Sequence, residues 1–289
     1  MRKVGIIGLG AMGAPMARNL ARAGLLQGIW NRTFDKAREL AQALEVPAAA
    51  TPVELARQCD VIMLCVSADR DLLEVVDALA DGLQPGSVVV DHSTVGVDTA
   101  RRAAELVAGR GGEFLDAPVS GGVEGARAGT LAIMAGGSET ALNKARPALE
   151  AIGGLIQHMG PVGSGQATKA VNQILCAGIN QAVTEALTFG QGQGLDLDRV
   201  IEVVSRGAAG NWFLEKRGPT MIRNTFHPGF KLALHHKDLQ ICRQMAEQAD
   251  VKLPLTARTI ADYERLMAEG HGDEDISALF RLKQKRGCD

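Results

Sequence analysis

Residues 4–20 read VGIIGLGAMGAPMARNL, and this stretch decides the fold of the first half of the chain. A short apolar run leads into three glycines with the spacing GxGxxG, and apolar residues at helical intervals follow. A strand, a glycine turn and a helix in this order are the context in which that spacing is informative. The helix N-terminus offers unpaired N–H groups and a positive dipole end to phosphate. The stretch therefore predicts a dinucleotide site at Gly8, Leu9, Gly10, Ala11, Met12 and Gly13.

Helix and strand signals alternate through the first half. Residues 61–66 are a continuous apolar run of the kind that parallel strands buried on both faces show, and residues 87–91 are predicted to form another buried strand. Residues 113–116 and 131–135 are two further predicted strands, separated by a glycine-rich loop. The alternation predicts an α/β Rossmann-type, doubly wound N-terminal domain over residues 1–162.

The pattern changes after this domain. Residues 167–190 contain no proline, little charge and apolar residues around most of the helix circumference, which predicts a long buried helix. We assign residues 163–193 to an interdomain helix and residues 194–289 to an all-α C-terminal domain. The glycine run at 190–194 follows no strand and is interpreted as the end of the helix. Trp212 and Phe230 are expected to pack in the core.

The turn after the second predicted strand bears on the choice of cofactor. It reads Asn31-Arg32-Thr33, without the carboxylate that usually holds the ribose hydroxyls of NAD. The planar guanidinium of Arg32 suits a phosphate group. We therefore predict that NADP is preferred over NAD. The alternative is a solvated turn in which Thr33 caps the next helix.

Composition excludes several classes of protein. The chain has 289 residues, a net charge of −2 and 3% aromatic residues, so it offers neither a basic field nor a base-stacking surface for nucleic acid. No apolar run reaches the roughly 20 residues needed to cross a bilayer. The five cysteines, Cys288 among them, are scattered without a CxxC, and no HExxH is present. We expect a cytoplasmic protein with reduced thiols and no metal, nucleic-acid or membrane partner.

Three loops could carry chemistry. The first contains Ser93 and Thr94 after a predicted strand, and these residues either contact the nicotinamide riboside or cap a helix. The second, residues 116–122, offers backbone N–H groups beside a serine hydroxyl as a carboxylate cradle, or is a turn that needs its two glycines. In the third, Lys169 lies in an apolar helix, where desolvation lowers a lysine pKa toward that of a general acid or base. Asn172 shares its face. A lysine that snorkels at a domain border is the alternative.

Residues 6–20, 116–122, 163–173 and the late pair Lys237-Asp238 together resemble the β-hydroxyacid dehydrogenase family. That family includes 3-hydroxyisobutyrate dehydrogenase, tartronate semialdehyde reductase and the glyoxylate/succinic semialdehyde reductases. The four motifs occur in the family's order and span essentially the whole chain. Gln173 stands where many relatives carry a second asparagine, and the turn at 31–33 is similar to that of the NADP-preferring reductases.

The resemblance implies roles for individual residues. The catalytic lysine falls on Lys169 and the substrate-orienting asparagine on Asn172. The loop that binds the substrate carboxylate falls on Ser120, Gly121 and Gly122. Lys237 is the lysine near the nicotinamide, and Asp238 beside it belongs to the substrate site. Further cofactor contacts fall on Val66, Ser67 and Thr94.

The implied activity is an NADP-dependent β-hydroxyacid dehydrogenase, or in reverse a reductase of a small carboxylated aldehyde such as glyoxylate, succinic semialdehyde or tartronate semialdehyde. Lys169 would move the proton, and no metal would be required. The resemblance also implies a homodimer or homotetramer formed through a helical domain that closes over the substrate. The alternatives are an imine reductase of the same architecture and a non-catalytic cofactor-binding scaffold, and the presence of Lys169 argues against both.

Overall fold

The computed structural model describes residues 3–284. The chain divides into two compact units, Met1–Lys169 and Ala170–Asp289. Cys288 lies outside the described residues, and none of the other four cysteines forms a disulfide within the described residues. Over residues 3–284, no helix combines the length and the apolar character that crossing a membrane requires.

The first unit is built on an eight-stranded sheet. Its strands are β1 (Val4–Ile7), β2 (Leu26–Trp30), β3 (Val61–Leu64), β4 (Val88–Asp91), β5 (Glu113–Asp116), β6 (Val119–Ser120), β7 (Leu131–Gly136) and β8 (Gly153–Gly160). Its helices are α1 (Gly13–Arg22), α2 (Phe34–Leu44), α3 (Pro52–Arg57), α4 (Asp69–Ala80), α5 (Val97–Ala108), α6 (Gly122–Ala128) and α7 (Glu139–Glu150).

The strand order is β2-β1-β3-β4-β5-β7-β6, with β8 paired to β7. The neighbours from β2 to β5 pair in parallel. The order reverses beside β1, because β2 lies on one side of it and β3 on the other. Open α/β sheets bind ligands at such a switch point, and α1 begins there, directly after β1.

Helices cover both faces of the sheet. Alternate residues of β3 enter different apolar clusters: Val61 and Met63 belong to the cluster that contains Met16 of α1. Ile62 and Leu64 belong to the cluster of α3, α4 and α5. Side chains along a strand point to opposite faces, so two clusters mean two covered faces. The predicted doubly wound domain is confirmed.

The segment between β5 and β7 differs from the prediction of a glycine-rich loop. It contains the two-residue strand β6 and the seven-residue helix α6. Strand β7 runs antiparallel to β5 and β6, so the sheet is mixed at this edge. Both elements are too short to leave a periodic pattern in the sequence, and α6 contains Gly125, a weak helix former.

A single helix of 29 residues, α8 (Ser164–Gly192), runs from the end of the first unit into the second. It ends in the glycine run as predicted: the N–H of Leu195 donates to the carbonyl of Gly190 at 3.1 Å. The prediction that the helix is buried all round is wrong on one face. Val171, Leu175 and Phe189 are 58%, 59% and 68% exposed.

The second unit is helical throughout its described part. After α8 come α9 (Leu197–Val204), α10 (Trp212–Ile222), α11 (Leu232–Gln248), α12 (Pro254–Ala268), the 3-10 helix Ile276–Leu279 and α13 (Phe280–Lys283). Their core is a cluster around Tyr263 and Phe280. Phe230 packs against this cluster, whereas Trp212 is 55% exposed, so core packing was the wrong expectation for that tryptophan.

Candidate functional site

The glycine turn after β1 has the geometry that its spacing predicts. Gly8 has a φ of +93°, and its N–H donates to the carbonyl of Trp30 at 3.1 Å. A β-carbon on Gly8 would overlap the carbonyl of Cys65, and one on Gly13 would overlap the carbonyl of Gly8. A β-carbon on Gly10 would meet no atom within 4 Å. The protein itself therefore requires glycine at the first and third positions, whereas the second faces open space.

Asn31 braces this turn. Its Oδ1 accepts from the N–H of Leu9 at 2.9 Å, and its Nδ2 donates to the carbonyl of Thr33 at 3.0 Å. The first turn of α1 contains no acidic residue, and no side chain caps its N-terminus. The open space at the second glycine and this uncapped helix end fit the pyrophosphate of a dinucleotide.

Arg32 and Thr33 lie on the surface after β2. The Arg32 side chain is 78% exposed, and its NH1 lies 3.0 Å from Oδ1 of Asp71, the third residue of α4. Thr33 occupies the N-cap position of α2, but its hydroxyl makes no capping hydrogen bond. Both donors are therefore accessible to a phosphate group.

The loops after β3 and β4 are joined by a hydrogen bond. Ser93 Oγ accepts from the N–H of Val66 at 2.9 Å, and Thr94 beside it is half-buried. Ser67 is exposed. The N-cap residue of α5 is Gly96, and its N–H donates to Asp69 at 2.8 Å.

His92, next to these residues, is buried and neutral. Its Nδ1 donates to the carbonyl of Ala117 at 2.7 Å, and its Nε2 has no hydrogen-bond partner among the described residues. Desolvation lowers the pKa of His92 to about 4, against the raising effect of the Ala117 contact. The ring therefore acts as a hydrogen-bond donor that holds the start of the 117–122 loop.

Asp116 and Gln166 organise the start of α8 within the first unit. The carboxylate of Asp116 accepts from the N–H groups of Gly163 and Gln166, each at 2.8 Å. Burial raises the pKa of Asp116, and these backbone donors partly oppose the shift. The Gln166 side chain donates to the carbonyl of Ser93 at 2.8 Å and accepts from the N–H of Val95 at 3.2 Å. These hydrogen bonds fix the loops after β4 and β5 to the start of α8, the helix that carries Lys169.

Lys169 lies against the loop that we predict to hold a carboxylate. The side chain is 8% exposed, and its Nζ donates to the carbonyl of Val119 at 2.8 Å. The next residue is Ser120, and Gly121 and Gly122 follow with φ of +129° and +63°. Both glycines adopt a backbone that other residues rarely adopt, so this turn does need them. The buried ammonium also excludes the snorkelling alternative for Lys169.

In the second unit, four of the polar side chains form a chain of contacts. Asn172 Nδ2 donates to Gln173 Oε1 at 2.7 Å, and Gln173 Nε2 donates to Asp238 Oδ2 at 2.6 Å. Asp238 Oδ1 lies 2.8 Å from Nζ of Lys237. Over residues 3–284, no group of three or more histidine, cysteine or acidic side chains is arranged to hold a metal ion.

Comparison with known proteins assigns the family. Residues 3–160 match the family model described as the NAD binding domain of 6-phosphogluconate dehydrogenase. Residues 163–283 match the model described as NAD-binding of NADP-dependent 3-hydroxyisobutyrate dehydrogenase. The 2-hydroxy-3-oxopropionate reductase of Escherichia coli (strain K12) is 38% identical, over 96% of this chain and 96% of the reductase. The chain belongs to the β-hydroxyacid dehydrogenase family.

Two solved structures are similar to this chain over almost its whole length. The Mycobacterium tuberculosis 3-hydroxyisobutyrate dehydrogenase, solved with L-serine, is 32% identical with a TM-score of 0.88, over 98% of this chain and 99% of that one. A complex of Psf3 with NADP+ and 2-OPP is 26% identical with a TM-score of 0.87, over 96% and 99%. This family member is an oxidoreductase that acts on hydroxyl groups with a nicotinamide cofactor.

Sequence reasoning did not assign a function to Gln166, Asp69 or His92. Each acts through a backbone group that is distant in sequence, for example Gln166 through Ser93, 73 residues away. The available signal was the start of α8 at Gly163-Ser164-Gly165, because a buried helix N-terminus needs acceptors from elsewhere.

Proposed function

We propose that this β-hydroxyacid dehydrogenase reduces a small aldehyde that carries a carboxylate, with NADPH preferred over NADH, and oxidises the corresponding β-hydroxyacid in reverse. The contact between Lys169 Nζ and the 119–122 loop is the observation that carries the proposal. It supports a site in which the proton donor lies beside the predicted carboxylate cradle. The E. coli relative acts, by its name, on 2-hydroxy-3-oxopropionate, and we take tartronate semialdehyde as the first substrate to test.

We assign the cofactor to the turn at residues 8–13, with Arg32 and Thr33 toward the 2′-phosphate and Asn31 as their support. Val66, Ser67 and Thr94 would contact the rest of the nucleotide. The bound nicotinamide cofactor supplies or accepts the hydride. NADP preference rests on the exposed guanidinium of Arg32 and on the Thr33 hydroxyl, which makes no capping bond.

The substrate carboxylate would accept hydrogen bonds from Ser120 and from the N–H groups of Gly121 and Gly122. Lys169 would donate a proton to the carbonyl oxygen during reduction and remove it during oxidation. A backbone carbonyl such as that of Val119 accepts from an ammonium and from a neutral amine alike. The lysine can therefore keep its position through the proton cycle. Asn172, Lys237 and Asp238 would orient the substrate.

Initial rates test this proposal. NADPH and NADH oxidation is measured with tartronate semialdehyde, glyoxylate, succinic semialdehyde and methylmalonate semialdehyde. Lys169→Ala should lower kcat by about 10²–10⁴-fold while leaving the Kd for NADPH unchanged. Unaltered kcat in this variant would contradict the assignment of Lys169. NADPH binding without turnover of any oxo acid would favour an imine substrate or the scaffold.

We also propose the domain boundaries at 162/163 and 193/194, a cytoplasmic location and a homodimer or homotetramer. The exposed apolar side chains of Val171, Leu175 and Ile179 support the oligomer, because they recur every four residues on one face of α8. Sedimentation equilibrium of the full chain tests the oligomeric state.

A further inference from the structure

Gln173 connects two groups of residues to which we assign substrate contacts. Its side chain is buried, with 1% of the residue exposed, and Asp238 opposite it is 3% exposed. Gln173 Nε2 donates to Asp238 Oδ2 at 2.6 Å, and a hydrogen bond to a carboxylate is stronger than one between two neutral groups. Both partners lie in the second unit, on α8 and α11.

The carboxylate of Asp238 fixes the direction of every hydrogen bond in this chain of contacts. An ionised carboxylate only accepts, so Gln173 must turn its NH2 group toward Asp238. The Gln173 carbonyl oxygen then faces Asn172 and requires a donor there, which is the Asn172 NH2 group at 2.7 Å. On its other side, the Asp238 carboxylate accepts from Lys237. An apolar side chain at position 173 could make neither the hydrogen bond to Asp238 nor the one from Asn172, so it could not fix the orientation of the Asn172 amide.

The backbone of Gln173 is held by a separate contact. His235 Nε2 lies 3.2 Å from the Gln173 carbonyl oxygen, and His235 Nδ1 lies 3.1 Å from the Tyr263 hydroxyl. A change of the Gln173 side chain leaves these contacts in place. Its effect therefore reports on the side-chain hydrogen bonds.

We propose that Gln173 is a positioning residue of the reaction: its amide sets the orientation of the Asn172 amide and restrains the Asp238 carboxylate that holds Lys237. This inference rests on the proposed function, because it assumes that Asn172 and Lys237 contact the substrate or cofactor. It assigns a role at the position where many relatives carry asparagine, whose side chain is one methylene shorter.

Gln173→Glu tests the directional argument through the pH dependence of activity. A protonated glutamic acid has one donor and one acceptor and reproduces the pattern of glutamine. An ionised glutamate would face the Asp238 carboxylate with no donor between them. The ionisable groups around the new carboxyl are Asp238, Lys237, His235, Tyr263 and Cys176, together with Lys169 one turn earlier on α8. We expect kcat/KM to approach that of the wild type at acid pH and to fall at least about tenfold below it at alkaline pH.

Gln181→Glu is the matched control. Gln181 is also a buried glutamine on α8, and its Nε2 donates to Oδ2 of the buried Asp262 at 3.0 Å. The Gln181→Glu variant therefore also places a new carboxyl group beside a buried aspartate, but at a distance from Asn172 and Lys237. NADPH titration counts the folded sites, so rates are expressed per folded molecule. We expect the control to keep the wild-type pH profile for kcat/KM.

Gln173→Met removes both polar ends at similar length and introduces no ionisable group. We expect kcat/KM to fall about tenfold at every pH, the loss of one charge-assisted hydrogen bond, with the Kd for NADPH unchanged. Identical pH profiles for Gln173→Glu and Gln181→Glu would overturn the role of Gln173, and so would a wild-type kcat/KM in Gln173→Met. Either result would leave the proposed function intact. A wild-type enzyme that turns over no oxo acid would instead overturn the proposed function, and this inference with it.

Discussion

Replacing Gly10 with alanine separates what the fold requires from what the cofactor requires. Gly10 is exposed, its φ is outside the positive range, and an added β-carbon would meet no atom within 4 Å. The folded protein should therefore accept alanine without strain. Because alanine has less backbone freedom in the unfolded chain, we expect the free energy of unfolding to stay the same or to rise by about 0.4–1 kcal/mol.

Cofactor affinity should respond in the opposite direction. The second glycine of the fingerprint allows the pyrophosphate to approach the backbone, and the methyl group would occupy that space. We expect the Kd for NADPH to rise at least about tenfold, which corresponds to about 1.4 kcal/mol. Fluorescence titration with NADPH and urea denaturation of the same preparation measure the two quantities.

Alanine substitutions at two other glycines serve as controls for this experiment. Gly192→Ala is the matched control, because its β-carbon also meets no atom within 4 Å, and it should leave NADPH affinity unchanged. Gly13→Ala should lose stability, because its β-carbon overlaps the carbonyl oxygen of Gly8. Wild-type NADPH affinity in Gly10→Ala would refute the placement of the pyrophosphate at this turn.

Three further changes have defined outcomes. Asp71→Asn removes the carboxylate that competes with the 2′-phosphate for Arg32. NADPH affinity should therefore rise by up to about fivefold, which corresponds to the free energy of an exposed ion pair, and NADH affinity should not change. A weaker NADPH complex in binding titrations would contradict this. The unfolding free energy of the wild type should fall by up to roughly 3 kcal/mol between pH 6.5 and about 4, because the unfolded His92 ring binds a proton that the buried ring resists. His92→Gln should flatten that dependence in urea denaturation, and parallel curves would show that His92 is not its source. Asp116→Ala leaves two N–H groups at the start of α8 without their acceptor and should cost roughly 2–4 kcal/mol in the same assay, whereas unchanged stability would contradict the role assigned to that carboxylate.

The features that were predictable from the sequence are those whose causes lie close together in the chain. The fingerprint combines a buried strand, a turn that needs glycine and an amphipathic helix within 17 consecutive residues. The apolar run of β3 and the three consecutive valines of β4 likewise follow from burial on both faces. The exposed face of α8 was not predictable in this way. Periodicity shows only that Val171 and Leu175 are apolar and share a face, and it does not show what covers that face.

The environment of a charged residue depends on partners far along the chain. The guanidinium of Arg32 can bind a phosphate, but it also pairs with Asp71, which is 39 residues away. No local sequence pattern predicts that Asp71 and a phosphate would compete for Arg32. The same holds for Asn31, whose amide could serve a ligand or brace the turn, and whose contacts are to Leu9 and Thr33. Residue type therefore indicated which groups could contact the cofactor, and tertiary contacts decide how many of them are already engaged.

The contact of Lys169 decides between two interpretations of the same sequence, an exposed lysine and a buried one. A lysine at a domain border can extend its ammonium into water or turn it into the protein, and both are compatible with an apolar helix. The 8% exposure and the bond to Val119, 50 residues away, select the second. A lysine keeps N–H donors after it releases its proton, so its neutral amine can still donate a hydrogen bond to the Val119 carbonyl. This geometry is what the proposed acid–base role of Lys169 requires, because the amine stays aligned in both protonation states.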